Sequence, residues 1–411
     1  VNRPRPGPAV VVFTHVFPNA VQPTYGVFVR ERMFRVAERL PLTVVAPVPW
    51  FPGDALLRRF RPHYRPAVPD YEVQQGIEVH HPRFLSFPRY LKSLDGVFEA
   101  LFSLRLLRRL QREGRLDLLD AHFIYPDGVA AWLLGRWLNV PYTITLRGTI
   151  ARISRTRLRR WLAVRALRGA TRLFAVADSL RQVAIGMGIA PDRVQVVTNG
   201  INLDLFRPES RAECRRRLGI ASGATVLITV GTLNERKGFH RVIEQLPALR
   251  ERFPGLLYLA VGGESPDGGD LTRLRRQADR LGVGECVLFV GQQPPERLRH
   301  YYSAADLFVL PTRFEGWANV FLEAAACGLP VVTTRVGGNA EVVDSPALGR
   351  LVPFGDGNAL REAISEALQS DWDRRAIIAH ARANDWERRI PKLVNLLSGV
   401  DGGRLPAKVV E

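Results

Sequence analysis

Residues 308–341 read FVLPTRFEGWANVFLEAAACGLPVVTTRVGGNAE, a succession that few folds can hold. The apolar run 307–310 is halted by Pro311, as a parallel strand buried on both faces would be. Asn319 has the side chain of a helix N-cap, residues 320–327 continue as an apolar helical segment, and Gly328 ends it. Residues 330–334 return to strand chemistry before the Gly337–Gly338 turn. A helix that starts just past the carboxyl end of a parallel strand aims its first N–H groups and its positive dipole end at one point, where α/β proteins bind phosphate. Two carboxylates bracket that point: Glu315 in the loop and Glu323 about one turn into the helix. Carboxylates repel phosphate, so these acids are expected to face the hydroxyl groups of a ligand whose phosphates sit at the helix start. A diphosphate with ribose on one side and a hexose on the other has that form. The plainer alternative is a solvated loop acid and a first-turn acid favoured by the helix dipole.

A chain of 411 residues exceeds one ordinary core and suits two domains of about 200 residues. The three cysteines, Cys214, Cys286 and Cys327, have neither metal-ligand spacing nor a pairing pattern, which points to a reducing compartment. No apolar run reaches the ~18 residues of a membrane span, and no signal peptide is visible at the start as given. The expected location is cytoplasmic, with peripheral contact at the inner membrane face. Charge is unevenly placed: residues 1–200 hold 30 Lys and Arg against 14 Asp and Glu, and the remaining 211 hold 28 against 26. The first half therefore calls for an anionic partner. No nucleic-acid signature or interleaved stacking aromatics accompany the arginines, so an anionic membrane, or an acceptor tethered to one through a lipid diphosphate, fits better than nucleic acid.

Along the chain, strand 9–14, a loop and a helix at 30–40 lead into strand 42–48, a βαβ opening. Gly26 in that first loop would let backbone approach a ligand. Residues 50–90 look irregular, with a strand at 76–81. Residues 98–110 form a basic amphipathic helix whose stripe is either core or membrane-facing. His122 ends strand 117–122, ahead of Pro126-Asp127-Gly128, which read as turn and cap chemistry. Strand 141–146 precedes Arg147-Gly148-Thr149. Residues 152–172 contain eight arginines, with Leu158, Trp161, Leu162 and Ala166 on one face: a membrane-surface helix or a solvated one packed through that face. In the second half, strand 224–230 runs into Gly231-Thr232-Leu233-Asn234-Glu235-Arg236-Lys237-Gly238, phosphate architecture with two adjacent cations.

Taken together, E-x7-E inside strand–loop–helix, with EGW, LEAAACGLPVV and GGNAE around it, resembles the nucleotide-binding core of family 4 retaining glycosyltransferases. The resemblance is clearest over 226–343 and extends to VVTNGINLDLFRP, similar to the family's interdomain linker. It implies an α/β GT-B fold, two Rossmann-like domains facing a central cleft. The expected parts are an acceptor-side domain at 1–204, a nucleotide-sugar domain at 205–385, a terminal helix at 386–398 crossing back, and a disordered tail at 399–411. It implies metal-independent transfer of a sugar from a nucleotide diphosphate sugar to an acceptor hydroxyl, with no cofactor, the leaving phosphate taking the acceptor proton. In this reading Lys237 and Arg236 stabilise the leaving diphosphate, Glu315 holds the sugar hydroxyls and Glu323 the ribose. Gly26, Gly231, Thr232 and the amides of Asn319 and Val320 face the donor phosphates. His122, in a sequence similar to "HF-x-YPDG", would serve the acceptor or sugar side, as would Arg147 and Gly148. Many members carry histidine where Arg147 stands, which resembles an "RG" subgroup acting on cell-surface polysaccharides. The rivals are a nucleotide-sugar epimerase on the same fold and a non-catalytic scaffold that binds membranes or polyanions.

Overall fold

The structure is a computed structural model that describes residues 7–60, 65–88, 90–150, 157–264 and 270–400. It divides into two units, one taking residues up to Asn199 together with those from Arg389 onward, the other Gly200–Arg388.

The first unit is built on an eight-stranded sheet. Its strands β1 (Val10–Phe13), β2 (Leu42–Val45), β5 (Ile77–His80), β7 (Leu118–His122), β8 (Tyr142–Leu146), β9 (Arg172–Ala175) and β10 (Val194–Val196) are parallel, and β4 (Tyr71–Gln74) is antiparallel at the edge. The order is β10-β9-β8-β7-β1-β2-β5-β4. β1 is buried along its whole length, which is why it reads VVVF without polar alternation. The order reverses at β1, with β2 on one side and β7 on the other.

Several boundaries differ from the sequence reading. The first helix is Val27–Ala37 rather than 30–40, because Gly26 in a left-handed conformation ends the loop and starts the helix directly. The strand expected over 42–48 stops at Val45, and β3 (Val48–Trp50) pairs separately with β6 (Arg83–Leu85). The irregular stretch also contains the helix Asp54–Phe60 and the β4–β5 hairpin, whose Gln75-Gly76 turn has positive φ at both residues. That is the turn type that matches strand twist. The basic helix is longer than expected, Asp95–Arg112. Of the arginine-rich stretch, residues 151–156 lie outside the described residues, and the remainder is the helix Arg157–Gly169. Its expected single stripe splits: Leu162 and Ala166 are buried with Ala163 and Leu167, while Leu158 and Trp161 stay about half exposed.

The second unit holds a six-stranded, all-parallel sheet: β11 (Thr225–Val230), β12 (Leu256–Val261), β13 (Val287–Gly291), β14 (Leu307–Leu310), β15 (Val331–Thr334) and β16 (Gly349–Val352). Their order, β13-β12-β11-β14-β15-β16, reverses between β11 and β14. Such a reversal opens a crevice at the strands' carboxyl ends. Apolar clusters cover both faces, one around Phe308, Phe321 and Tyr302, the other around Phe239, Tyr258 and Ile364. The last helix, Trp386–Ser398, passes from this unit into the first. Residues 401–411, most of the expected tail, lie outside the described residues. Among the described residues no helix is long and apolar enough to cross a membrane.

Candidate functional site

Three loops meet at the reversal point of the second sheet. The first leaves β11 and turns through Glu235–Lys237, where the Asn234 side chain accepts the Lys237 N–H at 3.1 Å. Gly238 then adopts φ 83°, and a Cβ there would drive into the Pro311 carbonyl, so the loop can lie directly on the one leaving β14. Arg313 N–H donates to the Arg236 carbonyl at 2.8 Å and locks the two together. The third loop follows β15. Gly337 lies so close to the Glu315 carbonyl that a side chain would not fit, and Gly338 N–H donates to that carbonyl at 3.2 Å. The glycine pair expected only to turn the chain also holds Glu315 in place.

Glu315 is buried at 8% exposure, and its Oε1 lies 2.8 Å from Lys237 Nζ and 2.7 Å from Arg236 Nη1. Thr312 Oγ1 adds a hydrogen bond at 3.2 Å. Burial alone would push this carboxyl up; Lys237 and Arg236 outweigh it and hold the group below its ordinary value. The Lys237 stem runs over Gly231, where a Cβ would lie 3.3 Å from Cε, while Thr232 is exposed beyond it. Gly231, Arg236, Lys237 and Glu315 are thus brought together.

The helix beside them is Asn319–Ala326. Its N-cap is Ala318, not Asn319 as expected, because the backbone is already helical at Asn319; the Ala318 side chain makes no capping hydrogen bond. Asn319 and Val320 therefore lie in the first turn, where backbone N–H groups have no intrahelical partner. Glu323, one turn on, accepts the Tyr302 hydroxyl at 2.8 Å. Burial pushes its carboxyl up to about 7, against the opposing pull of Tyr302 and Lys237. The two glutamates are in unlike states: Glu315 is neutralised by cations, Glu323 is poised near neutrality.

In the first unit, His122 ends β7, Arg147 directly follows the adjacent β8, and the two touch. Arg147 Nη2 donates to His122 Nδ1 at 3.0 Å, so the ring hydrogen is on Nε2, which donates to Asp120 Oδ2 at 3.1 Å. Both nitrogens of His122 are engaged and the residue has no exposure, so its only link toward a ligand would be its contact with Arg147. The Arg147 guanidinium lies 4.8 Å from the Phe28 ring and 5.9 Å from that of Phe123. Burial, and then the neighbouring Arg32, pull its pKa well below the ordinary value. Gly148 follows in a half-buried turn, and Gly26 caps the first helix. Sequence reasoning missed Thr312, Tyr302, Asn234 and Asp120. Tyr302 and Asp120 belong to no local motif, and Thr312 and Asn234 lie within the stretches already read without being singled out; Asn234, as a cap residue ahead of a short turn, left the one usable signal. Among the described residues, His/Cys/Asp/Glu groupings of metal-ligand geometry occur at Glu209–Cys214–His300 and His15–Glu99–Asp127. In the first, Glu209 is already paired with Arg299 at 2.8 Å and His300 at 2.6 Å.

Residues 210–384 match the family described as glycosyl transferases group 1, and residues 9–205 match glycosyltransferase family 4. A Bacillus subtilis (strain 168) protein whose name, TuaC, assigns it to teichuronic acid biosynthesis as a glycosyltransferase is 31% identical over 339 residues, 80% of this chain and 81% of its own. The chain belongs to the family 4 and group 1 glycosyltransferases. This glycosyltransferase is also 31% identical over 367 residues to a D-inositol 3-phosphate glycosyltransferase of Thermomonospora curvata, covering 82% of this chain and 84% of that one. Among solved structures, Anabaena Alr3699/HepE in complex with UDP superposes with a TM-score of 0.73 at 19% identity, over 95% of this chain and all of that one. The fold of the glycosyltransferase is GT-B, with two Rossmann-like units.

Proposed function

We propose that this glycosyltransferase moves a sugar from a nucleotide diphosphate sugar to an acceptor hydroxyl, with retention of anomeric configuration and without a metal ion. The observation that carries the reading is the buried Glu315 carboxylate with Lys237 and Arg236 on one oxygen, next to the start of the helix Asn319–Ala326. Two cations and first-turn N–H groups match a diphosphate and stabilise the charge that develops as it leaves. Once the phosphates take the cations, Glu315 is free to accept hydrogen bonds from the sugar ring. Glu323, with Tyr302, takes the ribose hydroxyls. HepE is solved with UDP and with UDP-glucose, which supports a donor of this class.

In the first unit, Arg147 and Gly148, with His122 behind them, serve the acceptor. The Bacillus subtilis relative's name points to a cell-surface polysaccharide precursor, and a lipid-linked acceptor agrees with the excess of arginine in the first 200 residues. The deciding experiment incubates the full chain with UDP-, GDP- and ADP-sugars and follows nucleoside diphosphate release with and without saccharide acceptors. Acceptor-dependent release supports the reading. An epimerised donor with no acceptor requirement, or no turnover with every pair, overturns it in favour of the epimerase or the scaffold.

A further inference from the structure

A second group of chemistry-bearing residues lies wholly within the first unit and outside the residues assigned above. β1 and β7 are adjacent where that sheet's order reverses, and the segments leaving their carboxyl ends carry His15 and Asp127. Ligands of α/β sheets bind in the crevice that such a reversal opens. His15 Nδ1 lies 2.5 Å from Asp127 Oδ1, and the His15 backbone N–H donates to the same oxygen at 3.3 Å. Asp127 is fully buried, whereas the His15 side chain keeps 24% of its surface. A carboxylate oxygen only accepts, so the ring hydrogen sits on Nδ1 and Nε2 is left as an acceptor with no partner among the described residues. The Phe123 ring, 5.7 Å from the imidazole, limits its rotation.

Behind Asp127 lies Glu99, on the helix Asp95–Arg112. Gly96 lets that helix close on the loop, since a Cβ there would lie 3.0 Å from both the Pro126 carbonyl and Val129. Glu99 has no exposure, and among the described residues neither of its oxygens, nor Asp127 Oδ2, meets a partner at hydrogen-bond geometry. One donor atom each from His15, Asp127 and Glu99 lie within 4.8 Å of one another. Two bare buried carboxylates side by side require a cation or a shared proton. Burial, with Asp127 and Asp95 adding to it, raises the Glu99 carboxyl well above its ordinary range, which favours the proton. The other titratable groups facing the cluster include Tyr25, near Asp127, Tyr125, which faces Glu99 and Asp95, and Asp95 itself, whose Oδ2 lies 3.2 Å from Lys92. The resulting chain runs from Glu99 through Asp127 to His15, the one of the three whose side chain reaches the surface.

We propose that His15 Nε2 binds a hydroxyl group of the polyhydroxylated acceptor, with Asp127 and Glu99 as positioning residues that set its tautomer and ring plane. The proposal rests on the transferase reading for the ligand's identity and on this unit alone for its geometry. It is tested on the full chain with 15N-labelled histidine, using methyl α-glucoside and glycerol as hydroxyl probes. The expected result is a His15 ring hydrogenated at Nδ1, with an Nε2 resonance that moves as a probe is added. Asp127→Ala, which removes the acceptor, should lose the Nδ1-hydrogen tautomer, and Glu99→Gln, whose amide can donate to Asp127, should keep it. In turnover, His15→Ala should raise the acceptor KM about tenfold while nucleoside diphosphate affinity stays unchanged. An Nε2-hydrogen tautomer in the wild type, an Nε2 indifferent to both probes, or stoichiometric binding of Zn2+ or Mn2+ by the three residues would overturn it. The resonance experiment needs no turnover, so a failure of the transferase reading and a failure of this site give different results.

Discussion

Lys237 Nζ and Glu315 Oε1 are 2.8 Å apart although they belong to loops that leave two different strands, β11 and β14. A cation expected to grip phosphate and an acid expected to grip sugar neutralise each other in a network with Arg236. Donor binding on this view is an exchange of partners.

Glu315→Ala should therefore abolish transfer while nucleoside diphosphate binding holds or tightens, since two cations lose their competitor. Removing the carboxylate also leaves Lys237, only 12% exposed at its side chain, unpaired. The melting point should fall by the equivalent of about 1–3 kcal/mol. Calorimetric titration with UDP, GDP and ADP, together with thermal melts, checks both; loss of nucleotide affinity with turnover intact would contradict the assigned roles.

Lys237→Met removes one charge-assisted contact to the diphosphate. Affinity for the preferred nucleoside diphosphate should drop about 10- to 100-fold. The Glu315 carboxyl, relieved of its principal neighbour, should titrate higher than in the wild type, which 13C-carboxyl resonances would detect.

Glu323 links pH to both stability and binding. Its carboxyl is raised from an ordinary 4.5 to about 7, so between these values the folded chain holds a proton that the unfolded chain has lost. Stability contributed by this group is present below about 4.5 and is lost as pH rises through about 7. Glu323→Gln should thus be relatively more stable than wild type at pH 8 than at pH 5. If the ionised acid binds ribose hydroxyls, nucleotide affinity rises across the same window and flattens in the variant. Tyr302→Phe, which removes the hydrogen bond favouring ionisation, should move the window upward.

The half-exposed Leu158 and Trp161, with Arg165 lying 5.3 Å from the Trp161 ring, form an apolar tip among arginines on the helix Arg157–Gly169. If the acceptor is lipid-linked, the chain should sediment with phosphatidylglycerol vesicles at low salt and release as salt rises. A Leu158→Ser, Trp161→Ser double variant should bind more weakly with an unchanged melting point. Equal binding to neutral vesicles would count against an electrostatic contact.

Turnover should survive exhaustive treatment with EDTA, because Arg236, Lys237 and a helix start supply the charge that a metal ion would otherwise supply. Dependence on added Mg2+ or Mn2+ would show that these groups do not suffice.

What the sequence alone determined is whatever neighbouring residues impose on one another. Unbroken runs such as VVVF and LFVL specify strands buried on both faces, Gly328 and Pro311 mark where elements stop, and E-x7-E places two acids around one helix start. Those local rules were enough for two β/α units and for naming Glu315, Arg236 and Lys237 as candidates, which the fold then sets in contact. They failed by a few residues where backbone conformation decides, as at Gly26 and Ala318, whose dihedrals depend on what packs against them. Only the tertiary structure decided that Lys237 and Arg236 share one oxygen of Glu315, that Tyr302 rather than solvent faces Glu323, and that the Asp127 of a turn motif pairs with His15. These partners come from separate strand ends, and no periodicity in one segment encodes which other segment the sheet order will set beside it. Burial then assigns their charges, because removing water makes each carboxyl's ionisation depend on the one or two groups it touches.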